Sequence, residues 1–426
     1  MCKIIIVGGG WAGCAAAISA RKSGEDVILL ERTDLLLGLG NVGGIMRNNG
    51  RYTATEENVF MGASELFNIT DSCATHKNVD FPGHKHASFY DVLKVEPEVR
   101  RLLHGMGIQC RLCKRVIDVM KSDKGSIIEA LVLEDGEIIK GDVFVDCTGT
   151  TGPMGNCLEN GNGCSMCILR CPAFGPRVSI SERAGGTDFA GMRKDGKLGA
   201  FSGSSKLEKK TLSKSIQNQL KKKGFAVVPL PEDMINRKKL NVKVCKQYAL
   251  DPYAENIILI DTGFAKMMTP FFELEALRKV EGFENVRFAD PYAGGKGNSI
   301  RYMAVAERDD YLKVKGVDNL FCGGEKCGLF VGHTEAISTG SLAGHNAARM
   351  AKDIKLLELP ETTAIGSIIK YNNEKIENEE GLFKRFTFAG DEFFDYMKAM
   401  NLYTTDKGVI EKRIAESGLA NIYNSI

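Results

Sequence analysis

The stretch Lys3-Ile-Ile-Ile-Val-Gly-Gly-Gly-Trp-Ala-Gly13, followed by Asp26-Val-Ile-Leu-Leu-Glu-Arg32, decides the fold of this chain. It sets Gly8, Gly10 and Gly13 as G-x-G-x-x-G between an apolar strand and an alanine-rich helix, and Glu31 ends a second apolar strand eighteen residues after Gly13. A bound diphosphate needs each of these parts. Gly8 allows the tight turn, Gly10 lets the backbone approach the pyrophosphate, and Gly13 lets helix and strand pack closely. The helix start offers free N–H groups and the positive end of its dipole. Glu31 is placed to accept from a ribose hydroxyl. With Trp11 and Ala12 inside the turn and Arg32 next to the acid, the pattern predicts a dinucleotide site.

Lys3 followed by apolar residues from Ile4 to Ala20 imitates a secretory signal. Three consecutive glycines would ruin the apolar helix of such a signal, and the segment is read as part of the folded domain. No other stretch approaches the roughly 18–20 uninterrupted apolar residues of a membrane span, so the expectation is a soluble, cytoplasmic protein. The 426 residues suffice for two or three domains. A net charge of +2 points to no general affinity for nucleic acid or membrane, and the thirteen cysteines are odd in number and unevenly spaced, which argues against a disulfide framework.

The first domain is expected to resume late in the chain. Residues 141–149 read as a buried strand running into the Thr148-Gly149 turn, and residues 317–325 as a strand ending in Gly323-Gly324-Glu325. A small-residue helix follows, from Gly332 and His333 through Gly340 and Gly344 to Arg349. Its start lies where a flavin needs a positive dipole for its N1–C2=O edge, an element a nicotinamide enzyme does not require. The cofactor predicted is therefore FAD, with Val116 as the backbone contact to adenine. His333, at the helix start, is a candidate for flavin contact and for acid–base catalysis.

The fold class expected is α/β. A doubly wound, Rossmann-like FAD domain is built from 1–156 and 316–358, an inserted mixed α/β, cysteine-rich substrate domain spans 157–315, and a small helical region spans 359–426.

Leu320-Phe-Cys-Gly-Gly-Glu325, Gly332-His-Thr-Glu-Ala-Ile-Ser-Thr-Gly340 and Pro360-Glu-Thr-Thr-Ala-Ile-Gly-Ser-Ile-Ile-Lys-Tyr371 carry a family resemblance. Together with the N-terminal 30 residues they resemble the GidA-like FAD oxidoreductases, the group of the tRNA uridine-modifying enzymes MnmG and TrmFO. The resemblance implies FAD. TrmFO carries a cysteine soon after its second strand, whereas residues 35–50 here contain none. The cofactor is therefore carried over and the methyl-transfer reaction is not. That segment reads instead as a glycine loop whose Arg47, Asn48 and Asn49 suit flavin or substrate contact.

Cys157, Cys164, Cys167 and Cys171 follow the Thr-Gly turn, ending in C-x₂-C-x₃-C-P. Three readings stand: an iron–sulfur cluster, written as [4Fe-4S], passing electrons to the flavin; a catalytic Cys164/Cys167 dithiol; and unpaired thiols in a loop. Cys110 and Cys113 are read as structural. Between Lys206 and Lys246, twelve basic residues stand against three acidic ones. This is read as a solvated helix face in preference to an RNA-contacting surface. His84 and His86 precede a segment that starts like a helix with Ser88 as its cap, and Glu96, Arg100 and Arg101 lie on the amphipathic helix itself. Lys296 and Arg301 lie in a glycine-rich loop able to reach the substrate face.

The reaction expected is hydride or electron transfer through flavin N5 with a small-molecule or protein redox partner. The alternatives are RNA-uridine modification and a flavin-binding assembly protein without turnover. A homodimer is also compatible with the sequence.

Overall fold

A computed structural model describes residues 2–123, 125–149, 170–193, 196, 198, 200–201, 205–242, 246–289, 300–424 and 426. Cys157, Cys164, Cys167 and Lys296 lie outside these described residues.

Strand β1 (Lys3–Val7) runs into helix α1 (Trp11–Lys22), and β2 (Asp26–Leu30) follows. Strands β3 (Gln109–Arg111), β4 (Val143–Asp146) and β5 (Leu320–Cys322) complete a five-stranded sheet of spatial order β5-β4-β1-β2-β3. Every pairing in it is parallel. A parallel sheet buried on both faces needs continuous apolar strands, and Ile4, Ile5 and Ile6 are fully buried. Each such side chain contributes about 1.5–3 kcal/mol of transfer free energy.

Helix α2 (His333–Ala351) packs against α1 at close range. A methyl group added at Gly340 would stand 2.2 Å from the Ala12 carbonyl oxygen, and one at Gly344 2.1 Å from that of Ala16. The small residues of both helices therefore allow their backbones to touch.

Between β2 and β3 a three-stranded antiparallel sheet carries Ala74–Phe81 and His84–Tyr90. Here the helix start expected at Ser88 is corrected. Residues 84–90 form a strand, and the helix is Val92–Gly105, capped by the Asp91 side chain accepting from Leu93 N at 3.0 Å. Ala87, Ser88, Phe89 and Tyr90 are all buried, so burial of the strand outweighs the local capping signal of Ser88.

A separate four-stranded antiparallel sheet lies between β4 and β5, with Ser205–Leu207, Phe264–Met267, Asn256–Thr262 and Phe225–Pro229 in spatial order. Helix Lys214–Lys223 covers it with Ile216 and Leu220 buried, while Lys221, Lys222 and Lys223 face solvent. After α2 the chain forms helices Ala364–Ile376, Asp391–Ala399 and Lys407–Glu416. Among the described residues no helix is long and apolar enough to cross a membrane.

Candidate functional site

A cleft opens beyond the carboxyl ends of β1 and β4, the point where strand order reverses and open α/β sheets receive their ligands. Residues 8, 10–12, 31–33, 114–116, 147–149, 323–325, 332, 333 and 336 line it, as do 35, 37–41, Arg170, Arg177 and Val178. The structure thus brings together, across more than 300 residues of chain, Gly8, Gly10, Trp11, Ala12, Glu31, Arg32, Val116, Thr148, Gly149, Gly324, Glu325, Gly332 and His333. Gly13 stands behind the wall. A methyl group there would fall 1.8 Å from the Gly8 carbonyl oxygen.

The turn has the properties a diphosphate demands. Gly8 has φ +102°, which a side chain resists, and a methyl group at Gly8 would also strike the Cys147 carbonyl at 2.3 Å. Gly10 differs, since a methyl group there meets nothing within 4 Å. Packing leaves room for a side chain at Gly10, and the space in front of it belongs to the cleft. Gly10 is the N-cap residue of α1 and Gly332 that of α2, and neither supplies a side-chain cap. Two helices of 12 and 19 residues therefore direct uncapped N-termini into one cleft, a fitting cradle for a diphosphate and for a ring edge that gains negative charge.

Glu31 is held in a fixed orientation at the cleft wall. Its Oε2 accepts from Gly9 N at 2.7 Å, and its Oε1 accepts from Thr33 N at 2.8 Å and Thr33 Oγ1 at 2.9 Å. Asp146, fully buried at the end of β4, holds the Thr148 turn. It accepts from Thr148 N (3.0 Å) and Oγ1 (2.7 Å) with one oxygen and from Ser181 N (2.9 Å) and Oγ (2.8 Å) with the other. Around Val116 the rim is rich in basic side chains, three of them ion-paired: Lys114 with Asp135 and Glu137, Arg115 with Glu134, and Arg170 with Asp34. Arg32, Lys114, Arg115, Arg170 and Arg177 line that end, and burial followed by Arg177 pushes the Arg32 guanidinium below its ordinary value.

His333 is the first residue of α2. Tyr90 Oη lies 3.2 Å from its Nδ1, and the Trp11 ring centroid lies 5.8 Å from its own. Tyr90 and Asp146 were outside the sequence-based candidates. Asp146 carried a readable signal, as the acid that ends a buried strand before Thr-Gly, whereas Tyr90 carried none.

Other candidates are placed elsewhere. Arg47 pairs with Glu56 and Asp71, Asn48 meets His84 Nδ1 at 2.9 Å, and Asn49 donates to Gly83 and Ala389 carbonyls. These three residues are outside the lining of the cleft. His84 is buried between Phe81 and Tyr248, where burial pushes its pKa down to about 3, and His86 pairs with Asn78. Glu96 accepts from Leu36 N at 3.0 Å and from Arg100 Nε at 3.0 Å. Burial pushes the Cys110 thiol up to about 11, and Cys113 is exposed. Cys171 opens the short helix Cys171–Phe174, half-buried, and among the described residues no group of three or more His, Cys, Asp or Glu is placed to hold a metal ion.

Comparison with known proteins agrees with this geometry. Residues 3–152 match the model of the FAD dependent oxidoreductase family, and residues 251–355 match that of glucose inhibited division protein A. The tRNA uridine 5-carboxymethylaminomethyl modification enzyme MnmG of Cytophaga hutchinsonii is 32% identical over 155 residues, which are 35% of this chain and 24% of that protein. The methylenetetrahydrofolate–tRNA-(uracil-5-)-methyltransferase TrmFO of Caldicellulosiruptor bescii is 32% identical over 109 residues, 26% of this chain and 24% of that enzyme. The matched part thus spans about a quarter of the length of these relatives. The crystal structure of Aquifex aeolicus GidA superposes with a TM-score of 0.64 at 17% identity, covering 97% of this chain and 76% of that one. The chain carries the fold of an FAD-dependent oxidoreductase and resembles the GidA-like flavoprotein group.

Proposed function

We propose that this chain binds FAD in the cleft and is an oxidoreductase whose substrate is a uridine base in RNA. The observation that carries the cofactor reading is the convergence of two uncapped helix N-termini on the space in front of Gly10. In this reading the backbone of Gly8, Gly10, Trp11, Ala12 and Gly13 receives the diphosphate, Glu31 a ribose hydroxyl, and Val116 the adenine, with Arg32 beside it. Thr148, Gly149, Gly324, Glu325 and Gly332 flank the remainder, and His333 stands at the ring end as the acid–base group. Bound FAD supplies hydride exchange at N5.

The RNA reading draws on the relatives, whose names specify tRNA uridine chemistry. Lys221, Lys222 and Lys223, exposed at the end of helix Lys214–Lys223, are the phosphate-contacting groups it uses. The test is purification of the full chain with its flavin spectrum, followed by binding of a tRNA transcript at rising salt. The expected result is retained FAD, with tRNA affinity that falls steeply as salt rises and drops at least 10-fold in K221E/K222E/K223E. Retained FAD with no tRNA binding at 50 mM salt would end the RNA reading.

A second reading, exchange with a small-molecule or protein redox partner through a cysteine centre, is favoured by one feature. Cys157, Cys164, Cys167 and Cys171 follow directly on the Thr148-Gly149 turn of the cleft. Anaerobic purification with iron and sulfide assays tests it. About four irons per chain indicate a cluster, and iron-free protein leaves a dithiol or unpaired thiols, which thiol titration of the reduced and oxidised forms would separate.

A further inference from the structure

We propose that Tyr90 is a positioning residue for His333, fixing Nδ1 as the imidazole nitrogen that bears the proton and leaving Nε2 as the basic atom. Its mechanistic use rests on the FAD reading of the cleft, while the hydrogen-bond argument does not. Tyr90 Oη lies 3.0 Å from the Gly40 carbonyl oxygen and 3.2 Å from His333 Nδ1. A hydroxyl has one proton, and a carbonyl oxygen can only accept. Both contacts are satisfied in a single arrangement: Tyr90 donates to Gly40, and His333 Nδ1–H donates to the Tyr90 oxygen. A neutral imidazole then carries its lone pair on Nε2. The opposite assignment, with Tyr90 donating to Nδ1, gives up the Gly40 bond at a residue that is 1% exposed.

The surroundings hold this geometry. Burial keeps the Tyr90 hydroxyl protonated, well above its ordinary range. Trp11 packs edge-on to Tyr90 at 6.3 Å and tilted over His333 at 5.8 Å. On the opposite side the imidazole rests on Gly43, where an added methyl group would fall 1.7 Å from Cε1. The charged groups nearest the imidazole are held by partners on the 41–43 loop and on α2 itself. Lys206 donates to the Asn41 carbonyl at 3.0 Å, Lys266 donates to those of Val42 and Gly43, and Arg51 pairs with Glu335. Glu325 lines the same cleft.

Free histidine favours the Nε2–H tautomer, so the inference opposes the default and can be read spectroscopically. The experiment is ¹⁵N NMR of the full chain labelled at histidine, with His333 assigned by its loss in H333N. The expected parent signature is the Nδ1–H tautomer, and Y90F is expected to shift His333 to a mixture dominated by Nε2–H. An Nε2–H tautomer in the parent, or an unchanged tautomer in Y90F, would overturn the inference. If Y90F does not fold, the parent spectrum alone decides. Trp11 is the chain's single tryptophan, and its emission on adding FAD reports cofactor binding separately. Absence of quenching with the Nδ1–H tautomer present would count against the FAD reading while supporting the role of Tyr90.

Discussion

Arg51 and Glu335 form a buried pair in which Arg51 Nε lies 3.1 Å from both carboxylate oxygens. Glu335 also accepts from Thr387 Oγ1 at 2.6 Å and Phe388 N at 2.9 Å, and Arg51 Nη2 donates to Val331 O at 2.7 Å. The pair therefore ties helix Arg51–Phe60, the start of α2 and the segment around Thr387 together, directly behind His333. Arg51→Met would leave the Glu335 carboxylate buried without its counter-charge, at a cost of about 3–5 kcal/mol. The denaturation midpoint in urea should fall accordingly. The double variant R51M/E335L should recover a large part of the loss, because two apolar groups replace a desolvated pair.

Gly10→Ala and Gly13→Ala should separate binding from folding. A methyl group at Gly10 enters open cleft, so G10A should keep the melting temperature of the FAD-stripped chain within about 2 °C and lose FAD affinity at least 10-fold. At Gly13 it would stand 1.8 Å from a backbone oxygen, so G13A should lower stability by about 2 kcal/mol or more even without cofactor. Thermal melts and flavin fluorescence titration on the same samples check both.

Glu31→Gln replaces one carboxylate oxygen with an NH₂ group where Gly9 N, Thr33 N and Thr33 Oγ1 all donate. One buried donor then faces a donor, costing about 1–3 kcal/mol. FAD affinity should fall together with stability, which distinguishes this variant from G10A in the same titration.

His345 is buried with neither ring nitrogen hydrogen-bonded, and burial pushes its pKa down to about 4. Unfolded histidine titrates near 6.5, so between these values the unfolded chain binds more protons than the folded one. The residue's share of stability is present above pH 6.5 and is lost as pH falls toward 4. His345→Phe, packed edge-on against Tyr423 as the imidazole is, should flatten this slope by up to ~1.4 kcal/mol per pH unit. Urea unfolding at pH 7, 6 and 5 checks this, and a parent slope retained in the variant would refute it.

The strand–turn–helix–strand end of the cleft was legible because its parts are local. Gly8, Gly10, Gly13 and Glu31 lie within one strand–turn–helix–strand unit, and their spacing carries the geometry. The late Gly323-Gly324-Glu325 strand end and the small-residue α2 were legible for a related reason. Close packing on Ala12 and Ala16 restricts residues 340 and 344 to glycine. Ser88 misled because a capping residue is a local preference, whereas the Ala87 to Tyr90 stretch is committed to burial by partners far along the chain. Arg47, Asn48 and Asn49 looked available for ligand, but Asp71, His84 and Ala389 engage them.

The parallel α/β core and the two glycine turns that face each other across it follow from the residues alone, because strand burial, tight turns and helix contact each restrict residue type at short spacing. Tertiary structure alone decided the contacts of His333. Tyr90 reaches it across 243 residues of chain, and Gly43 and Trp11 complete its walls. No periodicity or motif encodes such a contact. It arises when separate strands and helices close on one another and a buried hydroxyl must find its partners among whatever they present.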